Sequence, residues 1–308
     1  MGKENQNHKI IRYKTIGQFH ESRGLPNPEH PLISVVDVSK LKHYDEPVNM
    51  ILDYYSISLK RNFNGRFTYG QHDYDFNEGL MFFISPNQVF KVEHTEEEQL
   101  KQTGWLLLIH PDFLWKSALA KNIKQYGFFD YKVNEALFLS KKEQTIINNI
   151  ILNVQQEYQR TIDHFSQRII ISQIETLLNY ADRFYQRQFI TRKKANDKIL
   201  DQMESVLEDY FNSQHLTTSG LPSVLYVADK INVSPNYLSG LLKTLTGQST
   251  QQHIQDKLIE KAKEKLATSE LTINEIAFSL GFEHSQSFSK LFKCKTNFTP
   301  LKFRQSFN

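Results

Sequence analysis

The sequence predicts a two-domain α+β protein, with short strands in its first third and helices alone in its last. Three observations carry this. The chain has 308 residues, and about 150 per domain is ordinary. Residues 33–110 hold short runs rich in Val, Ile, Tyr and Phe, separated by turn residues. After Pro111 the apolar residues recur at helical spacing instead.

The expected strands are Ile33–Val38, Met50–Leu59, Arg66–Gln71, Leu80–Ile84, Gln88–Val92 and Gly104–His110. Asn64-Gly65, Asn77-Glu78-Gly79 and Ser85-Pro86-Asn87 punctuate them. Short strands at such spacing suit a small sandwich or barrel. Fragments of alternation, such as Phe67/Tyr69 and Tyr54/Ser56/Ser58, give one face an inward direction.

Ser140-Lys-Lys-Glu143 has the form of a capping box: the serine accepts from an orphan backbone N–H, and the glutamate reaches back to the cap. Behind it Ile146, Ile147, Ile150, Ile151, Val154 and Tyr158 define one helix. A second opens near Asp163 and carries Ile170, Ile174, Leu177, Leu178, Ala181 and Phe184/Tyr185. The short join predicts an antiparallel hairpin over 140–188. Its apolar stripes serve either to pack on the strands or to pair two copies of the chain. Residues 187–198 are polar and basic, which puts a linker at 192–197 between domains 1–191 and 198–308.

Composition excludes several classes. The 22 Phe and 14 Tyr supply large buried surfaces, so the chain is not globally disordered. The longest purely apolar runs have five residues, whereas a membrane helix needs about 20. The first thirty residues lack the apolar core of a secretory signal. Cys294 has no second cysteine to pair with, so a reduced cytoplasmic setting is expected. In its Lys-rich stretch it reads as a half-buried small residue. The net charge of +3 announces no nucleic-acid partner, but its distribution says more. Residues 197–308 hold twelve Lys/Arg and twelve Asp/Glu, and no acid follows position 284.

The most specific signal is a repeat. VLYVADKINVSPNYLSGLLK (224–243) resembles TINEIAFSLGFEHSQSFSKLFK (272–293). Ala228 and Asn232 match Ala277 and Gly281 at an offset of 49. Leu238, Leu241, Leu242 and Lys243 match Phe288, Leu291, Phe292 and Lys293 at 50, so the second turn has one extra residue. A small Ala lets two helices cross closely, and Asn or Gly can take the left-handed backbone of a tight turn. Ser234-Pro235 then supplies an N-cap and first helical residue. Two helix–turn–helix motifs, at about 223–246 and 272–295, follow; the second helix of such a motif fits a major groove about 12 Å wide. Between them Thr250–Ala267 forms a long helix, capped by Ser249 and Gln252.

Residues 224–304 resemble the DNA-binding region of the AraC/XylS family of bacterial transcription regulators. The matching elements are SPNYLSGLLKTLTG, Ala262 to Leu266, TINEIAFSLGF, FSKLFK and TP-LKFR. The resemblance implies regulation of transcription, double-stranded promoter DNA and RNA polymerase as partners, a homodimer, and recognition helices near 235–245 and 284–295. It also implies an N-terminal sensing or dimerising domain of cupin-like barrel form. Four positions depart from the family pattern. Gly240 offers no side chain on the first recognition helix, Lys257 replaces a frequent Arg, Asn297 replaces a Gly, and Leu242 replaces a Phe.

The candidate DNA-contacting residues are Asn236, Tyr237, Ser239 and Lys243 on the first motif, and Ser285, Gln286, Ser289, Lys290 and Lys293 on the second. Gln286 can bond adenine in a bidentate fashion, and Lys290 can bond guanine or phosphate. Lys243 and Lys293 suit phosphates. His284 stands at a helix start, where it caps or is solvated.

In the N-terminal domain Tyr54, Phe67, Tyr69, Phe82 and Trp105, with Phe90, line or fill the barrel interior. If they line it, a small-molecule effector is the expected occupant; if they fill it, the barrel only dimerises. A metal-dependent cupin enzyme fused to a DNA-binding module is the rival class. His72, His94 and His110 do not form its His-x-His ligand set. No phosphate loop or nucleophile motif occurs, so neither enzymatic activity nor a cofactor or metal is expected.

Overall fold

A computed structural model describes residues 10–42, 44, 48–61, 79–92, 103–132, 135–159, 165–191, 193–213 and 215–306. The chain divides into two compact units, Met1–Gln188 and Phe189–Asn308.

The first unit is built on two sheets. One has the order β1-β3-β6, from Ile10–Tyr13 (β1), Val48–Leu52 (β3) and Val89–Val92 (β6). The other has the order β2-β7-β4-β5-β8, from Ile33–Asp37 (β2), Thr103–Ile109 (β7), Tyr55–Arg61 (β4), Gly79–Ile84 (β5) and Leu137–Leu139 (β8). The β1–β3 pair is parallel, whereas β3–β6 and all pairs of the larger sheet are antiparallel.

The expected run Met50–Leu59 is two strands in two different sheets. The break falls at Asp53-Tyr54, where the Asp53 amide donates to the Tyr13 carbonyl at 3.1 Å and the Asp53 carboxylate holds Arg12 at 2.7 Å. Arg12 also donates to Asn87, whose φ of 65° turns the chain into β6. Strands β1 and β8 were not expected from the sequence. The expected strand Arg66–Gln71 lies outside the described residues.

Register assigns the faces of the larger sheet. Trp105, Leu107 and Ile109 stand opposite Leu59, Ile57 and Tyr55 and share their side. That side is covered by helices and short turns. The Tyr55 and Phe83 rings meet Phe129, and Phe83 also meets Tyr185. The helix Lys141–Gln159 carries Ile147, Ile151 and Val154 fully inward. Its Tyr158 hydroxyl accepts from the Val35 amide at 2.9 Å. The capping box ahead of it has both arms, Glu143 N to Ser140 Oγ and Ser140 N to Glu143 Oε2. Ser166–Thr191 follows, with Ile174, Leu177, Leu178 and Ala181 fully buried. These stripes are packing surfaces of the first unit.

The opposite side of the sheet bears Leu106, Leu108, Ser56, Ser58 and Lys60. Leu108 joins a core with Tyr13, Phe19, Met50, Leu52 and Tyr54, to which the small sheet contributes. The helix Ile16–Ser22 (α1) closes this core, capped by Thr15 and Gln18.

Residues 193–197, expected as linker, are helical: Lys193–Asn212 is one helix. Asp197 therefore lies inside it. The buried Asn196 side chain donates to the Phe189 carbonyl, so this polar run is held within the second unit.

Candidate nucleic-acid interface

The second unit continues from Lys193–Asn212 through short His215–Ser219 to two repeated helix pairs. Val224–Lys230 precedes Pro235–Thr246, and Ile273–Ser279 precedes Ser285–Thr296. We label the four helices αA, αB, αC and αD. Both αA and αC have seven residues, at an offset of 49, and both αB and αD have twelve, at an offset of 50. The extra residue lies in the second turn.

Local chemistry builds each pair. Ser223 Oγ caps αA and Ser234 Oγ caps αB, with Pro235 in the first turn. Thr272 and Glu275 form a capping box on αC. Ala228 and Ala277 are fully buried, which allows close approach of the following helix. The turn residues Asn232 and Gly281 have φ of 58° and 81°. The helices αB and αD end alike, on Gly247 (φ 76°) and Asn297 (φ 63°), each amide donating to a lysine carbonyl four residues back. Asn297 thus takes the left-handed cap that glycine takes in the first repeat, as an Asx residue can.

Between the pairs Thr250–Thr268 (αL) runs for 19 residues, or about 28 Å. Its capping box is Ser249 with Gln252. Ile254, Leu258, Ala262 and Leu266 are buried along it. On its other side Lys257 and Lys261 clamp Glu208 of Lys193–Asn212 at 2.7 and 2.8 Å. Their hydrogen bonds hold the Glu208 carboxyl down at about 2, against an ordinary 4.5. A depressed carboxyl contributes stability fully above its unfolded value, and that contribution fades as pH falls toward 2. Glu208→Gln should therefore lower the melting temperature at pH 7, and the difference from wild type should vanish between pH 4.5 and 2. Half a molar salt should shrink it too, since the cluster is at the surface.

The outward stripe of αB is Asn236, Ser239/Gly240 and Lys243; that of αD is Gln286, Ser289/Lys290 and Lys293. Asn236, Lys243, Gln286, Lys290 and Lys293 are exposed. Ser239, Ser285 and Ser289 are half-buried, and the Ser239 hydroxyl lies 3.1 Å from that of Thr250. Tyr237 departs from expectation. It is buried, and its ring meets Phe189 edge-on at 5.1 Å, so it is a core residue and not a groove residue. The repeat puts Ser287, which is exposed, at its counterpart position. His284 precedes αD without a capping hydrogen bond, and Cys294 is exposed rather than half-buried.

The basic C-terminal end also divides. Lys295 pairs with Asp256 at 2.9 Å, and Arg304 donates to the Leu266 carbonyl. Lys290, Lys293 and Lys302 remain exposed, with no ion-pair partner among the described residues. Behind αD an aromatic row fixes its depth: Phe282, Phe288, Phe292 and Phe303, with ring centroids 5.4–5.7 Å apart.

The aromatic residues expected inside the first unit do not share one space. Tyr54 is fully buried in the core between the sheets, and Phe82 stands beside Ser58 on the side facing that core. Trp105 is on the other side, donating to Asn148 at 2.9 Å. Phe67 and Tyr69 lie outside the described residues. Among the described residues no group of three or more His, Cys, Asp or Glu is placed to hold a metal ion. No helix there is long and apolar enough to cross a membrane.

Two exposed stripes on twin helix–turn–helix units define a DNA-binding transcription regulator. Comparison with known proteins agrees: residues 227–306 match the model of a helix-turn-helix domain family. The chain is 24% identical over 275 residues to the uncharacterized HTH-type transcriptional regulator YfiF of Bacillus subtilis, covering 87% of this chain and 84% of that protein. It is 24% identical over 256 residues to the HTH-type transcriptional activator RhaS of an Enterobacter species, covering 82% and 86%. A solved transcriptional regulator with an AraC-type DNA-binding domain, from Chromobacterium violaceum, is 22% identical over 36% of this chain and 93% of that one, with a TM-score of 0.32. Residues 227–306 thus carry a helix-turn-helix domain similar to those of such transcription regulators.

Proposed function

We propose that αB and αD enter successive major grooves on one side of a promoter, held apart by αL. The observation that carries this is the repetition of the exposed stripe at an offset of 50, free of acidic side chains on both helices. The length of αL, about 28 Å, is comparable with the roughly 34 Å between such grooves. The second motif supplies most of the base reading. Gln286 bonds adenine and Lys290 bonds guanine or phosphate, whereas Gly240 leaves the matching place on αB without a side chain. Asn236 is the base-edge candidate of the first motif. Lys243 and Lys293 hold phosphates, and Ser239, Ser285 and Ser289 flank the contact.

The first unit, cupin-like in its sheets, takes a small-molecule effector in the core between them. Pairing of two copies through the helical hairpin, whose solvent side keeps Leu152 and Ile169 exposed, completes the cytoplasmic regulator, which acts on RNA polymerase. Equilibrium sedimentation should accordingly return a dimer.

The test is a gel-shift scan over the DNA upstream of this gene and its neighbours. Gln286→Ala should relax preference at one base pair by about 1–3 kcal/mol. Lys293→Ala should weaken all sequences alike and lower the salt slope by about 1. Unchanged binding by Gln286→Ala and Lys290→Ala would overturn the residue roles.

A further inference from the structure

One carboxylate in the second unit ties the ends of both helices proposed to enter the grooves. Asp256 lies on αL, about two turns from its start. Its Oδ2 accepts from Gln248 Nε2 at 3.0 Å, and its Oδ1 accepts from Lys295 Nζ at 2.9 Å. Gln248 follows Gly247, the left-handed cap that ends αB. Lys295 stands in the last turn of αD. Each oxygen of the carboxylate thus serves a different helix end.

Neither helix pair needs this tie in order to form. Caps, small alanines and left-handed turn residues build both pairs, whereas the tie is not repeated. At the offset of 50, Gln248 corresponds to Phe298 and Lys295 to Leu245, side chains that cannot bond a carboxylate and are exposed. αB has further polar anchors on αL: Thr246 Oγ1 lies 2.9 Å from His253 Nε2, and the Ser239 hydroxyl 3.1 Å from that of Thr250. For αD, the bond from Lys295 to Asp256 is the one hydrogen bond to αL among the described residues. The aromatic row behind αD is apolar packing, which is non-directional, whereas a hydrogen bond has a preferred distance and angle. At 42% and 24% exposure of its two side chains, the ion pair adds little to stability. Its consequence is geometric.

We propose that Asp256 is a positioning residue that fixes αD against αB, and so sets the number of base pairs between the two groove contacts that the chain accepts. This rests on the two-groove reading above and deepens it. One added base pair moves the second contact by about 3.4 Å along the duplex and about 34° around it. With the tie in place the two helices present a single spacing, and such a change breaks one contact. Without it αD shifts on its apolar seat, and the chain tolerates the altered duplex.

The probe is the duplex that the full wild-type chain selects from a random-sequence pool, with two derivatives made one base pair longer or shorter midway along the selected site. The readout is the ratio of affinities for the selected duplex and each derivative, which does not depend on how much of the chain is folded. Wild type should lose about tenfold or more on either change. Asp256→Ala and Lys295→Met should lose about threefold or less. Lys295→Met breaks the tie without freeing an ammonium for phosphate, so a lowered ratio in both variants assigns the effect to the tie. Wild-type ratios in both variants would overturn the proposal, whether or not their melting temperatures fall. A lowered ratio in Asp256→Ala alone would assign the effect to the freed Lys295 and overturn it as well. A wild type that binds all three duplexes alike would overturn the two-groove reading, and the proposal with it.

Discussion

Gly281→Ala should unfold the second helix pair at temperatures where the wild type is intact, and with it abolish specific DNA binding. Gly281 turns the chain from αC to αD at φ 81°, a conformation that costs an L-residue about 1–2 kcal/mol. A Cβ there would stand 2.6 Å from the Leu216 carbonyl oxygen and 3.0 Å from Gly220 Cα. Both are backbone atoms, so neither can swing aside. We expect a loss of about 3 kcal/mol, against a total of 5–15 for an ordinary domain. Gly281→Asn separates the causes. Asn is tolerated at positive φ, as Asn232 is in the first turn, but the collision remains, so most of the loss should persist. The readout is simple because both tryptophans, Trp105 and Trp115, lie in the first unit. The part of the circular dichroism transition due to the second unit's helices should fall while the tryptophan fluorescence transition stays.

Gly104→Ala should do the reverse, lowering the tryptophan transition together with the helical signal of Lys141–Gln159 and Ser166–Thr191, and sparing the helices of the second unit. Gly104 has φ 132° and stands opposite Lys60 in the central β4–β7 pair. A Cβ would lie 1.9 Å from the Leu59 carbonyl oxygen. The ladder must open there, in a strand whose neighbours Leu107, Leu108 and Ile109 are fully buried. The expected loss is about 4 kcal/mol, near the upper end for single substitutions. A melting temperature within a degree of wild type would refute the described register.

The second unit was legible because its signals are local. Caps, the two small alanines, the positive-φ turn residues and the apolar spacing all sit within a few residues of what they control. Tyr237 was misread because its burial depends on Phe189, which is 48 positions away in sequence. The first unit was legible only in part. β1 and β8 have four and three residues, too few to show alternation, and their pairing with β3 and β5 is long-range. Asp53-Tyr54 reads as one more strand pair until Arg12 and Tyr13 are brought beside it. The basic run at 193–197 looked like a linker because composition alone carries no trace of the Asn196 bond to Phe189.

Hydroxyl-radical footprinting of the full chain on its operator tests the two-groove account most directly. Two protected segments about one helical turn apart, on the same face of the duplex for each bound chain, are the predicted result. Gln286→Ala and Lys290→Ala should weaken protection at the segment read by αD first. A single protected segment per chain, or no protection at low salt, would contradict it.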